Sequence, residues 1–106
     1  YWDDLAGAAR DEYARDWSEV KPYRGQNGNM HLVEAYLAAA AVTGDSRFLD
    51  RSRRIAELII NTHARAMEWR VPEHYSAQWQ ADRDFGRDGV FDVWKPFGAT
   101  VGHGFE

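Results

Sequence analysis

The chain has 106 residues, a net charge of −4 at neutral pH, 44% hydrophobic residues and no cysteine. This length allows one domain at most, and the acidic balance argues against a nucleic-acid partner. Disulfides and thiolate metal sites are excluded, and no apolar run reaches the ~18 residues that span a membrane, so we expect a cytoplasmic protein without membrane contact.

The first 17 residues do not indicate a single type of secondary structure. Residues 2–6 are predicted to be the end of a helix that stops at Gly7. The charges and alanines of residues 8–17 fit a helix by propensity, but this stretch is ambiguous.

A helical hairpin is predicted in the middle of the chain. The first helix spans about residues 29–42, with Asn27 or Asn29 as its N-cap, and the second spans about residues 46–67. Gly44 suits a left-handed C-terminal position, and Asp45 or Ser46 suits the next N-cap. Apolar residues recur at three- and four-residue steps, which marks buried helix faces. The positions expected to pack the two helices together are Val33, Leu37, Ile55 and Ile59.

After Trp69 the helical pattern ends at Pro72, and residues 71–75 are predicted to form a short strand or extended loop. Neighbouring residues of a strand face opposite sides, so Glu73 and His74 are not both expected to serve one site. Residues 82–92 form a polar loop, and a last helix is predicted to begin near Thr100 or Val101 and to continue past Glu106.

His103 is the strongest candidate for chemistry, because Gly102 and Gly104 leave its ring free of flanking side chains. A helix N-terminus favours the neutral imidazole, which can act as a general base. Glu106 would lie on the same helix face, three residues on, where its carboxylate could fix the imidazole tautomer. On spacing alone, the alternative of a histidine that only caps a helix is favoured.

A second candidate is His31, on the opening turn of the first predicted helix. Asn27 precedes it by four residues, so a helical turn places both on one face. Alternatively Asn27 and Asn29 cap the helix while His31 packs. His63 lies mid-helix and is interpreted as structural. The four histidines lack the spacing of a metal motif, so no metal is expected.

Three segments resemble the N-acylglucosamine 2-epimerase superfamily, in particular its mannose isomerase-like branch of aldose–ketose isomerases. They are residues 24–35 (RGQNGNMHLVEA), 69–75 (WRVPEHY) and 94–106 (WKPFGATVGHGFE). The match is specific, because Gly, Asn and His recur at fixed spacing in three blocks in the family's order. The departures are Gly28 where Ala is usual, Trp94 for Phe, and Val101 for Pro.

The resemblance implies an all-α fold, in which residues 1–106 are one partial domain of an (α/α)6 barrel. Such a barrel consists of helical hairpins with extended loops or short strands between them. The resemblance also favours the extended or hairpin interpretation of residues 8–17. The family fold is several times longer than this chain, so the expected partners are the remainder of the barrel or other copies of the chain.

The implied activity interconverts an aldose and a ketose of the mannose and fructose type. A histidine base takes the C2 proton of an open-chain sugar, an enediol forms, and no cofactor is needed. The resemblance assigns catalysis to His103 and Glu106. It implies substrate contacts for Asn27 and His31. Arg24, Lys95 and His74 lie inside the matched motifs and are further candidates for substrate binding, although on charge alone Arg24 and Lys95 are ordinary surface residues.

Two other functions remain open. One is a sugar 2-epimerase, such as one acting on N-acylglucosamine, and the other is a helical fragment that binds a partner without catalysis. The family uses a second histidine far downstream, which this chain lacks, so the segment alone is expected to be inactive.

Overall fold

The computed structural model describes residues 1–89 and 92–106. Its centre is a helical hairpin flanked by two small antiparallel sheets. The elements, in chain order, are β1 (Trp2–Asp3), β2 (Ala8–Ala9), β3 (Tyr23–Gly25), α1 (Gln26–Thr43), α2 (Ser46–Ala56), its π-helical continuation Glu57–Ala64, β4 (His74–Ser76) and a 3-10 turn at Gly102–Gly104.

Both predicted helices of the hairpin are confirmed, as is the turn between them. Gly44 adopts φ 70° and donates its N–H to Ala40 O at 2.9 Å, which closes α1. Asp45 then caps α2 by accepting a hydrogen bond from the Arg47 N–H at 2.9 Å. A glycine free of Cβ strain followed by a carboxylate cap explains why the chain reverses here.

The predicted cap of the first helix is wrong. Gly25 is the N-cap, in extended conformation and without a side-chain cap bond, so α1 begins directly after β3. In β3, Gly25 pairs with His74 of β4, and Gln26 N–H donates to Glu73 O at 3.0 Å. The sheet therefore holds the start of the helix, and Asn27 and Asn29 lie inside the first turn.

The predicted helix end at residues 2–6 is also wrong. β1 and β2 form an antiparallel hairpin in which Trp2 is opposite Ala9. Gly7 has φ 74° and bonds Asp3 O, while the Asp3 carboxylate accepts from Leu5 and Ala6 N–H. The aspartate offers these amides an alternative to a helical turn. The extended interpretation of residues 8–17 agrees with β2 and with a bridge between Tyr13 and Val20.

The core lies between α2, its π-helical continuation and the β4 region. Ile55 and Ile59 are buried as predicted, together with Tyr75 and Trp79, and Val33 packs against them. Leu37 is half exposed. Within residues 1–89 and 92–106, no helix has the length and apolar character needed to cross a membrane.

The last predicted helix is replaced by the single 3-10 turn. Two of the three residues in that turn are glycines, the residue type that weakens helices most after proline. Of the predicted loop at 82–92, residues 90 and 91 lie outside the described residues. The described residues thus form a helical hairpin with short strands beside it.

Candidate functional site

The fold brings the three sequence motifs together. Strand pairing between β3 and β4 places residues 24–35 beside residues 69–75. The third motif joins them through two contacts: His74 Nε2 lies 2.7 Å from Pro96 O, and His103 Nδ1 lies 2.6 Å from Glu73 Oε1. Motifs that are far apart in sequence therefore meet around one pair of strands.

His103 and Glu73 form a partly buried pair. His103 Nδ1 lies 2.6 and 2.9 Å from the two oxygens of the Glu73 carboxylate. The side chain of Glu73 is 6% exposed and that of His103 is 24% exposed. An ionised carboxylate only accepts hydrogen bonds, so beside one a neutral imidazole would carry its proton on Nδ1 and leave Nε2 as an acceptor.

The predicted carboxylate partner, Glu106, is not the one that holds His103. Among the described residues, His103 has hydrogen bonds to Glu73 and none to Glu106. The prediction assumed a regular helix from residue 100 onward, which would have placed residues 103 and 106 on one face. Because the helix is absent, the i,i+3 argument does not apply.

A cavity of about 220 Å³ lies beside this pair, between the helical hairpin and the 3-10 turn. Its polar lining includes Gln26, Glu34, His103 and Glu106. The remaining walls are mostly apolar: Met30, Val33, Leu37, Ile55, Ala56, Ile59, Ile60 and Val71, with Gly104. A small cavity with an imidazole and carboxylates on apolar walls is typical of a site for proton transfer.

A larger cavity of about 550 Å³ is lined by Glu73 and by Arg70, Arg83 and Arg87. His103 is not among its lining residues. Two of these arginines already pair with neighbouring carboxylates, Arg70 with Glu68 and Arg87 with Asp84. We therefore place the candidate site at the smaller cavity, where the histidine is.

His31 lies near Glu106. Its Nδ1 bonds Glu34 Oε2 at 2.8 Å, and both side chains are more than half exposed. One ligating atom from each of His31, Glu34 and Glu106 falls within 4.8 Å of the others, so these groups could share a cation or the hydroxyls of one ligand. Asn27, one turn earlier in α1, is half-buried.

His74 is placed differently from the prediction. It is 2% exposed, its Nδ1 lies 2.9 Å from Tyr23 Oη, and its Nε2 lies 2.7 Å from Pro96 O. The ring also stacks on Phe85, with centroids 4.5 Å apart. Both nitrogens are thus bonded inside the protein. Glu73 and His74 are both buried, but they bond different partners, as the alternation of a strand requires.

Arg24 and Lys95 are not among the residues that line the smaller cavity. Arg24 is 5% exposed and donates from Nη1 to Lys21 O at 2.8 Å and Tyr23 O at 2.6 Å. Lys95 pairs with Glu12, and its ammonium lies 4.4 Å from the Tyr23 ring centroid. In this arrangement both cations hold the strand region together.

Burial shifts the pKa of Asp11, Tyr23 and His63, none of which lines the smaller cavity. It raises the pKa of Asp11, whose Oδ2 accepts the Gly25 N–H at 2.8 Å. It also raises the pKa of Tyr23, with the nearby charges of Asp11 and Glu73 acting in the same direction. Burial lowers the pKa of His63, whose ring packs 4.9 Å from that of Tyr75, consistent with a structural role.

Two residues that are important in the structure, Glu73 and Asp11, are not predicted from the sequence. The sequence marks Glu73 only by its place beside His74 in the WRVPEHY motif. Asp11 has no motif signal, because Gly25, which it bonds, and Gly28, which it approaches, lie more than a dozen residues downstream.

The chain is similar to known proteins over its whole length. The family model of N-acylglucosamine 2-epimerase (GlcNAc 2-epimerase) matches residues 1–106. The chain is 47% identical over its whole length to a D-mannose isomerase of Pseudomonas cannabina pv. alisalensis, of which it covers 26%. It is 41% identical to a D-mannose isomerase of Thermobifida fusca, again over its whole length and 26% of that protein.

A solved structure is also similar. A crystal structure of D-mannose isomerase superposes with a TM-score of 0.89 at 36% identity, covering 97% of this chain and 27% of that one. The chain therefore spans about a quarter of the length of the relatives it matches. Since the family model matches every residue, the chain belongs to the N-acylglucosamine 2-epimerase family.

Proposed function

We propose that the whole protein is an aldose–ketose isomerase that converts mannose and fructose into one another. The observation that carries this proposal is His103, held by Glu73 at the wall of a small cavity that also contains Glu106. The names of the relatives support the substrate class, since those at 47% and 41% identity are D-mannose isomerases.

In the proposed reaction, His103 Nε2 takes the proton from C2 of the open-chain aldose while O1 gains a proton, which yields an enediol. Return of the carbon-bound proton to C1 and loss of the O2 proton give the ketose, so atoms and charge balance. Glu106 lines the same cavity and is assigned the exchange of the hydroxyl protons. His31 and Asn27, on the opening turns of α1, are assigned hydrogen bonds to sugar oxygens.

We further propose that residues 1–106 are one partial domain of an (α/α)6 barrel. The helical hairpin is the repeating unit of such a barrel, and large apolar side chains on it are exposed in this chain, among them Leu37, Leu49 and Ile60. Neighbouring hairpins would cover these side chains, because a barrel helix packs on both sides. The partners of this segment are therefore the rest of the barrel and the sugar.

The test is an isotope experiment on the whole protein. Mannose is incubated with enzyme in D₂O, fructose is quantified, and deuterium at C1 is measured by NMR. Proton transfer through an enediol predicts fructose that carries solvent deuterium at C1. His103→Asn is expected to lower kcat by about 10²–10⁴-fold. Glu68→Gln, at an exposed carboxylate paired with Arg70, serves as the matched control and should keep normal turnover.

Each alternative gives a distinct result. Glucose as the main product, with deuterium at C2, would identify an epimerase. Fructose without solvent label at long times would indicate an intramolecular hydride shift. Near-normal turnover by His103→Asn would contradict the assignment of the base.

A further inference from the structure

We infer that Glu73 is the positioning residue of the catalytic histidine: its buried carboxylate holds His103 in the tautomer whose Nε2 can accept a proton. This inference rests on the proposed function for its catalytic consequence. The tautomer itself is a property of the protein that can be measured without substrate.

The geometry of the pair supports this role. Both carboxylate oxygens lie within 2.9 Å of His103 Nδ1, and Glu73 is nearly excluded from solvent. Charge-assisted hydrogen bonds of this length are among the strong ones in proteins. Among the described residues, the carboxylate of Glu73 has no other hydrogen-bond partner, so the imidazole is the group that satisfies it.

Glu73 is itself held from two sides. Its carbonyl oxygen accepts the Gln26 N–H at 3.0 Å, which ties it to the start of α1. Its neighbour Pro72 accepts a hydrogen bond from the buried Tyr75 hydroxyl at 3.0 Å. Glu73 directly precedes β4, so its backbone is anchored at the end of the paired strands.

The backbone of His103, by contrast, offers little restraint. Its neighbours Gly102 and Gly104 have nothing within 4 Å of where a Cβ would lie, so neither glycine is packed on that side. The turn is a single 3-10 segment of three residues. The rigid partner is therefore Glu73, and the histidine takes its orientation from it.

The His31–Glu34 pair is a useful comparison for the His103–Glu73 pair, because it is exposed to solvent. Its nitrogen–oxygen distance is similar, 2.8 Å, but the side chains are 59% and 67% exposed. Exposed ion pairs contribute little to stability and seldom fix a geometry. The two histidines in the site thus differ in the burial of their carboxylates, and only His103 has a buried one.

The consequence follows from imidazole chemistry. A neutral ring with its proton on Nε2 cannot take a proton there, whichever way it points. In Glu73→Gln, the amide NH₂ can donate to Nδ1 and so favours the wrong tautomer at nearly the same side-chain volume. Glu73→Asp keeps the carboxylate but shortens the side chain by one methylene. We expect Glu73→Gln to lower kcat by about 10²–10⁴-fold with KM little changed. Glu73→Asp should lower kcat less, because it keeps the carboxylate.

The experiment combines kinetics with NMR on the whole protein labelled with ¹⁵N-histidine. His103 is assigned by the signal that disappears in His103→Asn, and its two nitrogen shifts report the tautomer. We expect the proton on Nδ1 in the wild type and in Glu73→Asp, and a shift toward Nε2–H in Glu73→Gln. Thermal unfolding of each variant shows whether the fold is retained, and Glu68→Gln is the control for loss of one carboxylate.

The outcomes separate the two proposals. Wild-type His103 with its proton on Nε2, or Glu73→Gln with normal kcat in an active enzyme, would overturn the positioning role. If the wild type shows the Nδ1–H tautomer but does not turn over mannose, the proposed function fails while the role of Glu73 stands. If Glu73→Gln does not fold, the tautomers of the wild type and of Glu73→Asp decide the matter.

Discussion

The side chain of Asn29 pairs with the backbone of Ala9 as a neighbouring strand would. Asn29 Oδ1 accepts the Ala9 N–H at 2.7 Å, and Nδ2 donates to Ala9 O at 3.2 Å and to Gly25 O at 3.0 Å. Asn29 is fully buried. One amide thus joins the N-terminal hairpin to the start of α1, whose first two turns carry the site residues Asn27 and His31.

Replacing this amide should destabilise the protein. In Asn29→Ala, the N–H and C=O of the buried Ala9 lose their partner, and each unsatisfied buried group costs about 1–3 kcal/mol. We expect a loss of at least that size in the free energy of unfolding, measured with denaturant. Asn27→Ala is the matched control, because the half-buried Asn27 shares the turn. Equal losses in the two variants would contradict the proposed role of Asn29.

Gly28→Ala should stabilise the protein only when Asp11 is also changed. A Cβ at residue 28 would lie 2.7 Å from Asp11 Oδ1, and Asp11 has little freedom to move because its other oxygen bonds Gly25 N–H. Overpacking typically costs ~1–3 kcal/mol, whereas Ala in a helix gains about 1 kcal/mol over Gly. Gly28→Ala is therefore expected to be neutral or destabilising in the wild type and stabilising in Asp11→Ala.

The measurement is a double-mutant cycle on unfolding free energy. Gly28→Ala that stabilises both backgrounds equally would show that the clash is absent. This position also bears on the family resemblance, since Gly28 stands where the related motif usually has alanine.

The acidity of Asp11 predicts a pH dependence of stability. Burial raises its pKa above the usual value of 3.8, so the folded state binds the proton more tightly than the unfolded state. Its contribution to stability is therefore greatest below the unfolded pKa and is lost as pH rises through the folded pKa. Asp11→Asn cannot titrate there but keeps an oxygen that can accept the Gly25 N–H.

We expect the unfolding free energy of the wild type, relative to Asp11→Asn, to fall as pH rises from about 4 toward 7. Denaturant unfolding at a series of pH values measures this difference. A difference that grows with pH would mean that the charges of Arg24 and Lys95 outweigh the burial of Asp11.

The isolated segment is expected to be unstable as a monomer. Large apolar side chains such as Leu5, Val42, Trp94 and Phe105 are 80% exposed or more. Exposed surface of this kind is typical of an interface. We expect residues 1–106 alone to associate or to melt without cooperativity, checked by circular dichroism at several protein concentrations. A cooperative melt that does not depend on concentration would contradict this.

Local signals in the sequence were sufficient for the helical hairpin. Gly44 and Asp45 end one helix and begin the next through contacts within four residues, and the apolar period identified Ile55 and Ile59 as core. Local reasoning failed at residues 2–6 and at the last motif. At residues 2–6, the Asp3 carboxylate bonds the Leu5 and Ala6 N–H groups and replaces a helical turn. In the last motif, Gly102 and Gly104 weaken the predicted helix, and only a 3-10 turn forms.

By itself, the sequence determined the family, the helical hairpin and the candidacy of His103, because motif spacing and helix periodicity act over short stretches of chain. Only the tertiary structure decided that Glu73, and not Glu106, holds His103, that both nitrogens of His74 are bonded, and that Asn29 supports Ala9. These contacts join residues 20 to 51 positions apart, and no local pattern specifies which distant groups a strand pairing will bring within hydrogen-bonding distance.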